Sequence, residues 1–186
     1  MEEDIAFAVE ALKKGDIILY PTDTVWGIGC DATNASAVSK VYALKQRADS
    51  KAMIVLVPEE QWILNYVAES EPKVADYIKG ITKPTTVIYE HAKNLAQNLI
   101  AADGTIAIRI CKANFAQQLM KAVGKPIVST SANISGLPTP MCFKDISLDI
   151  IDGVDYVVRS EQEDTLLKQP SAIVKWEKGQ LIVIRP

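Results

Sequence analysis

The sequence predicts an α/β (α+β) fold in which helices flank a twisted, mixed β-sheet. Helix patterns and strand patterns are interspersed along all 186 residues. The strand candidates are short, continuous apolar runs, which are typical of strands buried on both faces. Strict alternation of strand and helix fails near both ends of the chain, so a mixed sheet is expected and not a wholly parallel one.

Apolar residues recur at helical spacing in several segments. Gly15 and Gly124 follow the first and fourth of these segments, as is usual at helix ends. The predicted helices cover residues 4–14, 35–47, 72–79, 114–123 and 143–150, and a further helix start is expected at 58–60.

Short runs rich in β-branched and aromatic residues predict the strands. They cover residues 17–20, 53–57, 85–89, 105–110, 126–128, 156–158, 172–175 and 181–184.

Length, composition and charge limit the possible functions. A chain of 186 residues fits one domain. With 48% hydrophobic and 23% charged residues it can build an ordinary globular core without disulfides. The net charge of -3 argues against a general nucleic-acid binder, because affinity for a phosphate backbone comes chiefly from Lys and Arg.

Cysteine usage and the N-terminus indicate a cytoplasmic protein. Cys30, Cys111 and Cys142 are widely separated and form no CxxC pair, so reduced thiols are expected and not a disulfide framework or zinc ribbon. The acidic start, Met1–Asp4, lacks the basic-then-apolar pattern of a signal peptide. No apolar run approaches the roughly 18 residues that a membrane span needs.

Several common catalytic motifs are absent from the sequence. There is no GxxxxGK[ST] phosphate loop, and Gly27–Gly29 gives only half of a dinucleotide fingerprint because Ala32 stands where the third glycine belongs. The single histidine, His91, lies in a polar stretch and is expected at the surface. A histidine metal site or a Ser-His-Asp triad is therefore disfavoured, and an enzyme of this sequence would work through positioning and electrostatics.

The first of four polar motifs is Pro21–Asp31. An apolar strand leads into hydroxyls, an acid, an aromatic residue and two glycines. The segment is either a tight turn between strands or a loop whose hydroxyls and backbone face a small polar ligand.

The second motif is Lys45–Lys51, which holds three cations within seven residues at the end of a predicted helix. Cations there complement the helix dipole. Lys45 shares a stripe with Val38 and Tyr42, so it should leave the helix on the core side and reach towards a cleft. The three cations either complement the helix dipole only or hold a triphosphate.

The third motif is the strand Thr105–Arg109. Alternation places Thr105, Ala107 and Arg109 on one face of the sheet. An arginine between isoleucines needs an anionic partner. That partner is either a structural carboxylate or the carboxylate of a ligand.

The fourth motif, Ser129–Gly136, follows a predicted buried strand. Its hydroxyls, amide and glycine form either a polar capped turn or an uncharged cradle for an anion. Residues 134–142, which contain one glycine and two prolines, are the most irregular part of the sequence and are expected to be a site loop.

In this order, the motifs resemble those of the YrdC/TsaC family of threonylcarbamoyl-AMP synthases. PTDTVWGIGCDA looks like the family's PT[DE]TVYGLG. Lys45–Arg47 together with Ser131–Asn133 looks like its KxR…SxN signature. Thr105–Arg109 resembles its TxxxR strand, and Pro170–Val174 its late PSTIV strand. The resemblance covers essentially the whole chain and implies a YrdC-like fold with an open basic cleft and a single catalytic domain over residues 1–186.

The resemblance also implies roles for individual residues. The positions that match threonine-binding residues are Thr24, Arg109, Ser129 and Ser171. The positions that match ATP-binding residues are Arg47, Lys51, Thr105, Ser131, Thr139 and Arg185. The positions that match the catalytic signature, which is expected to face the phosphates, are Lys45, Arg47, Ser131 and Asn133. ATP is expected as substrate together with Mg²⁺, and no fixed protein metal site is evident.

By resemblance, the amine of L-threonine attacks bicarbonate or CO2, and the resulting carbamate attacks the α-phosphate of ATP. The product serves N6-threonylcarbamoyladenosine modification of tRNA position 37, so the implied partner is the threonylcarbamoyl transferase complex. Two alternatives stay open: an RNA- or tRNA-binding module without catalysis, and a carbamoyl-transferring YrdC-like relative. The acidic charge predicts weak RNA binding at most, and the second alternative normally sits inside a much longer chain.

Overall fold

A computed structural model describes residues 1–46, 53–68, 72–166, 168–177 and 180–186. The helices are α1 (Glu2–Lys14), α2 (Ala35–Leu44), α3 (Pro72–Lys79), α4 (Asn114–Val123) and α5 (Leu148–Gly153). The strands are β1 (Ile18–Tyr20), β2 (Gly27–Gly29), β3 (Ile54–Val57), β4 (Thr85–Tyr89), β5 (Ile106–Ile110), β6 (Ile127–Ser131), β7 (Tyr156–Val157), β8 (Ala172–Glu177) and β9 (Gln180–Arg185). Short 3-10 helices cover Glu60–Asn65, Gln97–Leu99 and Phe143–Asp145.

The strands of the described residues form one sheet in the order β7-β1-β2-β6-β3-β5-β4-β8-β9. β1 runs parallel to β7, β3 to β5, and β4 to β8, whereas the other neighbours are antiparallel. The predicted mixed α/β fold is therefore confirmed. Helices α1 and α4 pack together, and buried apolar residues of the central strands and of α1, α2 and α4 join in one core. None of the described helices has the length and apolar character needed to span a membrane.

Helix α2 begins where the sequence predicts but ends earlier. The side chain of Asn34 accepts hydrogen bonds from the amides of Ser36 and Ala37, which caps the start. The helix was predicted to continue to residue 47, yet its last residue is Leu44. Gln46 has a φ of 50°, in the left-handed region, and this conformation breaks the helical path.

Strand β2 was predicted only as a turn or loop, because its two glycines resemble turn residues. It lies between β1 and β6 and pairs antiparallel with both. A Cβ atom at Gly29 would lie 2.5 Å from the ring of Tyr20 and 2.6 Å from the carbonyl oxygen of Val128. Glycine is therefore required here by the close approach of β1 and β6 and not by a turn.

Two other boundaries differ from the prediction. Strand β6 continues to Ser131, so the hydroxyls that were expected after the strand belong to it. The single helix predicted over 143–150 is a 3-10 turn followed by α5, which begins at Leu148. Ser147 separates them in an extended conformation, and its carbonyl accepts from the amide of Ile151 at 3.2 Å.

Asp4 ties α1 to the segment after β7. Its side chain accepts hydrogen bonds from the Tyr156 hydroxyl at 2.7 Å, from the amides of Arg159 at 3.1 Å and Ser160 at 3.0 Å, and from the Ser160 hydroxyl. Burial acts to raise the pKa of Asp4, but these hydrogen bonds together outweigh burial and lower its pKa to about 2. The carboxylate therefore stabilises this junction while it is ionised.

Candidate active site

A cleft of about 320 Å³ opens over the middle of the sheet. Its walls come from the segment after β1, from strands β3 to β6, and from the start of β8 and the end of β9. The predicted site residues that line it are Thr24, Arg109, Ser129, Ser131, Thr139, Ser171 and Arg185. Residues far apart in the sequence are thus brought to one open cavity, as the motifs indicated.

Arg109 lies in this cleft with only 3% of its side chain exposed. Its Nη1 donates to the hydroxyl of Thr24 at 2.9 Å and lies 3.2 Å from Oδ1 of Asp23. Its Nε is buried and has no hydrogen-bond partner among the described residues. One side of the guanidinium is therefore held by the protein, while a donor on the other side is left for a ligand.

The hydroxyl of Thr24 is oriented by its neighbour Thr22. The Thr22 hydroxyl donates to the carbonyl of Val25 at 2.8 Å. It also lies 3.0 Å from the Thr24 hydroxyl, and because its own proton is used, Thr24 donates in that pair. The oxygen of Thr24 can then accept from Arg109. Thr22 was not singled out from the sequence, although it lies within the first motif.

Ser171 is fixed from two directions. Its hydroxyl shares a 2.8 Å hydrogen bond with that of Thr86, a fully buried residue of β4. Its carbonyl accepts from Nε and Nη2 of Arg185 at 2.9 and 2.7 Å. Ser171, a predicted threonine-binding residue, and Arg185, a predicted ATP-binding residue, are therefore in direct contact. Thr86 was missed, because nothing in the sequence distinguishes it from the other residues of its strand.

Ser129 reaches the cleft beside Gly27. A Cβ atom at Gly27 would lie 2.9 Å from the hydroxyl oxygen of Ser129. Glycine at this position therefore keeps space open next to a predicted threonine-binding hydroxyl.

Lys45 and Asn133 lie beneath the cleft and are not among the residues that line it. Lys45 is 1% exposed, which confirms that it leaves α2 on the core side. Its ammonium donates to the main-chain carbonyls of Ser131 and, at 2.6 Å, of Asn133. The Asn133 amide donates to the carbonyl of Leu137 at 2.7 Å. Both side chains hold the main chain after β6, and direct contact with phosphates stays a prediction.

The remaining predicted ATP-binding residues are Arg47, Lys51 and Thr105. Arg47 and Lys51 lie outside the described residues. Thr105 precedes β5, does not line the cleft, and donates its hydroxyl to the carboxylate of Asp103 at 2.7 Å. Ala107 and Arg109, from the same predicted face, do line it.

An aromatic pair connects the cleft to the irregular segment at 134–142. The rings of Trp26 and Phe143 have centroids 4.9 Å apart and an angle of 56° between their planes. Trp26 lines the cleft, as does Thr139 within the segment. The contact of Phe143 with Trp26 was not predicted, because Phe143 lies seven positions beyond the end of the fourth motif, Ser129–Gly136.

The charged groups of the cleft favour an anionic ligand. Burial and then the positive charge of Arg109 lower the pKa of the Arg185 guanidinium, so two cations face the same cavity. Asp23 is the nearby carboxylate. Burial, and then this carboxylate, raise the pKa of the Cys111 thiol to about 12. Within the described part of the chain, no group of three or more His, Cys, Asp or Glu side chains is arranged to hold a metal ion.

Known proteins match this chain along its length. The family model Sua5_yciO_yrdC, described as telomere recombination, matches residues 10–186. The chain is 34% identical over 160 residues to a threonylcarbamoyl-AMP synthase of Pseudoalteromonas translucida, which covers 84% of this chain and 86% of the relative. It is 32% identical over 177 residues to a threonylcarbamoyl-AMP synthase of Vibrio parahaemolyticus, with 94% and 95% covered.

A solved structure has the same fold. P. abyssi Sua5, determined in complex with L-threonine, matches with a TM-score of 0.90 and 20% sequence identity. The match covers 100% of this chain and 54% of that protein, so the chain spans about half its length. The predicted YrdC-like fold is therefore confirmed.

Proposed function

Because the chain belongs to the Sua5/YciO/YrdC family, we propose that it is a threonylcarbamoyl-AMP synthase. It joins L-threonine, bicarbonate or CO2, and ATP, and releases pyrophosphate. The observation that carries the proposal is the buried Nε of Arg109, which has no hydrogen-bond partner among the described residues, in a cleft lined by the hydroxyl residues Thr24, Ser129 and Ser171. The two relatives named threonylcarbamoyl-AMP synthase, each covered over most of its length, support the same activity.

Arg109 anchors the carboxylate of threonine in this proposal. A guanidinium binds a carboxylate through two parallel hydrogen bonds, and burial strengthens such a pair because little water competes. The side-chain hydroxyl and the amine of threonine then bind the hydroxyls of Thr24, Ser129 and Ser171. An amino acid with one carboxylate and a short polar side chain fits this set of partners.

ATP binds in the proposal next to the threonine subsite, in the same cleft. Ser131, Thr139 and Arg185 line the cavity and supply donors for the nucleotide. Arg47 and Lys51, which lie outside the described residues, are proposed to neutralise the triphosphate. Lys45 and Asn133 act by fixing the main chain of residues 131–137, whose position determines where the α-phosphate can bind. Thr105 is kept as a candidate ATP contact on resemblance alone.

The chemical step follows from holding two anions together. The threonine amine attacks the carbon of CO2 and loses a proton, which gives a carbamate. A carbamate oxygen then attacks the α-phosphorus of ATP, and the bond to pyrophosphate breaks. The cations around the cleft reduce the repulsion between carbamate and triphosphate, and proximity supplies much of the rate.

The proposal also includes the metal ion, the location of the enzyme and the acceptor of the product. A triphosphate is ordinarily bound with Mg²⁺, which would reach the cleft on the nucleotide. Residues 1–186 act as one catalytic domain in the cytoplasm. The product passes to the threonylcarbamoyl transferase complex that modifies position 37 of tRNA.

Release of pyrophosphate tests the proposal. We expect release from ATP only when L-threonine and bicarbonate are both present. Valine, which has a methyl group in place of the hydroxyl, serves as the control amino acid. Release that needs neither threonine nor bicarbonate would contradict the proposal. Release of pyrophosphate from ATP when carbamoyl phosphate replaces threonine and bicarbonate would favour the carbamoyl-transferring alternative.

A further inference from the structure

Asp23 occupies a fixed position beside Arg109 and does not itself line the cleft. Its side chain is 12% exposed. One carboxylate oxygen lies 3.2 Å from Nη1 of Arg109 and accepts from the Cys111 thiol at 3.3 Å. The other oxygen accepts from the amide of Lys112 at 3.1 Å. The carboxylate is thus held by β5, the strand that carries Arg109, and by the two residues that follow it.

These contacts determine which side of the guanidinium is free. A guanidinium has five N–H donors, and its Nε and one terminal nitrogen form an edge that matches a carboxylate. Asp23 and Thr24 both bind Nη1, and Nε is left without a partner among the described residues. The edge that includes Nε therefore stays available for a substrate, and the bonds to Asp23 and Thr24 prevent Arg109 from turning away.

Asp23 also changes the charge of the subsite. Arg109 and Arg185 lie close enough for the first to lower the pKa of the second. Two cations without a balancing anion would attract a phosphate group as readily as a carboxylate. With the charge of Arg109 partly neutralised by Asp23, the subsite suits an anion of single charge.

We propose that Asp23 is a positioning and selectivity residue: it presents the Nε edge of Arg109 to the substrate carboxylate and keeps phosphate out of that subsite. The inference rests on the proposed function, in which Arg109 binds threonine. This role of Asp23 would explain how one cleft binds a carboxylate and a triphosphate in separate subsites.

The test compares Asp23→Asn with Asp23→Glu and with Asp31→Asn as matched control. Asp31 is likewise a largely buried carboxylate that pairs with a cation: it is 7% exposed and lies 2.6 Å from Lys125, whose side chain is 48% exposed, and it does not line the cleft. For Asp23→Asn we expect the threonine KM to rise roughly 10- to 100-fold, as when an orienting partner behind a binding group is lost. The ATP KM should stay within about twofold. Inorganic phosphate should become a competitive inhibitor against threonine.

Asp23→Glu separates the position of the carboxylate from its charge, and Asp31→Asn controls for a general loss of stability. Asp23→Glu keeps the charge but moves the carboxylate, so the threonine KM should rise while phosphate stays excluded. Asp31→Asn should lower the melting temperature without changing the threonine KM or making phosphate an inhibitor. If Asp23→Asn does not fold, Asp23→Glu alone decides the positioning role, and an unchanged threonine KM would overturn it.

The failure of this inference differs from a failure of the proposed function. A wild-type protein without threonine-dependent pyrophosphate release would refute the proposed function itself. An active wild type whose Asp23→Asn variant binds threonine as well or better, or excludes phosphate as before, would refute the role of Asp23 alone.

Discussion

The ammonium group of Lys45 donates a 2.6 Å hydrogen bond to the main-chain carbonyl of Asn133. This bond joins the end of α2 to the chain just beyond β6. A second contact joins the two main chains directly: the amide of Ser135 donates to the carbonyl of Lys45 at 2.8 Å. The two signature motifs are thus linked through Lys45, and the contact gives this lysine a structural part in building the site.

Replacing Lys45 by alanine should therefore affect stability as well as activity. The change leaves the carbonyls of Ser131 and Asn133 without this donor inside the protein, which should cost on the order of 3 kcal/mol. For a chain of this size that is a fall of roughly 6–12 °C in melting temperature. Lys40→Ala is the control: it is also on α2, it donates to the carbonyl of Gly15, and its side chain is 46% exposed. Its effect should be below about 1 kcal/mol. A Lys45→Ala protein with unchanged melting temperature and a raised ATP KM would instead indicate direct nucleotide contact.

Arg109→Ala should separate threonine binding from ATP binding. Loss of a charge-assisted pair in a sheltered site should cost on the order of 2–4 kcal/mol, a rise of roughly 30- to 1000-fold in the threonine KM. The ATP KM should change little. Michaelis curves for both substrates measure the contrast, with the exposed Arg159→Ala as control. Equal losses for threonine and ATP, together with a lower melting temperature, would show that Arg109 serves only the fold.

Residues 134–142 should become protected from hydrogen exchange when ATP binds. They form neither helix nor strand, and Thr139 among them lines the cleft. The start of the segment is already anchored, because Ser135 donates to Lys45 and Asn133 donates to Leu137. We therefore expect the ATP-dependent change beyond residue 137 and little at Ser135. Equal protection with and without nucleotide would argue against a role for this loop in ATP binding.

Asp4 should contribute stability that depends on pH. Its pKa falls from 3.8 to about 2, so the ionised form stabilises the fold above about pH 4, and the contribution is lost as pH falls towards 2. Asp4→Asn should thus lower the free energy of unfolding by on the order of 2 kcal/mol at neutral pH. The difference from wild type should shrink on acidification. The exposed Asp152→Asn is the control, and a difference that persists unchanged at pH 2 would mean that ionisation of Asp4 is not the cause.

The fold was largely predictable because most helices and strands have strong apolar patterns. The errors fall where contacts distant in the sequence decide the conformation. Strand β2 resembled a turn, since its glycines are required by neighbouring strands and the sequence does not show those neighbours. Helix α2 ends at Leu44 and not at residue 47, because Gln46 adopts the left-handed conformation; the carbonyl of Lys45 beside it accepts from the distant amide of Ser135.

The candidate site was predictable in its motifs but not in its supporting contacts. Alternation along β5 correctly placed Ala107 and Arg109 on the cleft face, since period two is a local property. The contact between Thr86 and Ser171 joins residues 85 positions apart, and no local pattern indicates it. Asp23 could have been noticed, because a carboxylate beside Thr24 in a polar motif is a natural partner for a buried arginine.

Incorporation of labelled bicarbonate tests the central claim most directly. The protein is incubated with ATP, L-threonine and ¹³C-bicarbonate, and the nucleotide products are identified by mass spectrometry. The account predicts an adenylate that contains both threonine and the labelled carbon, formed by wild type and strongly reduced in Arg109→Ala. AMP or ADP as the sole nucleotide product, or an adenylate without the label, would contradict it.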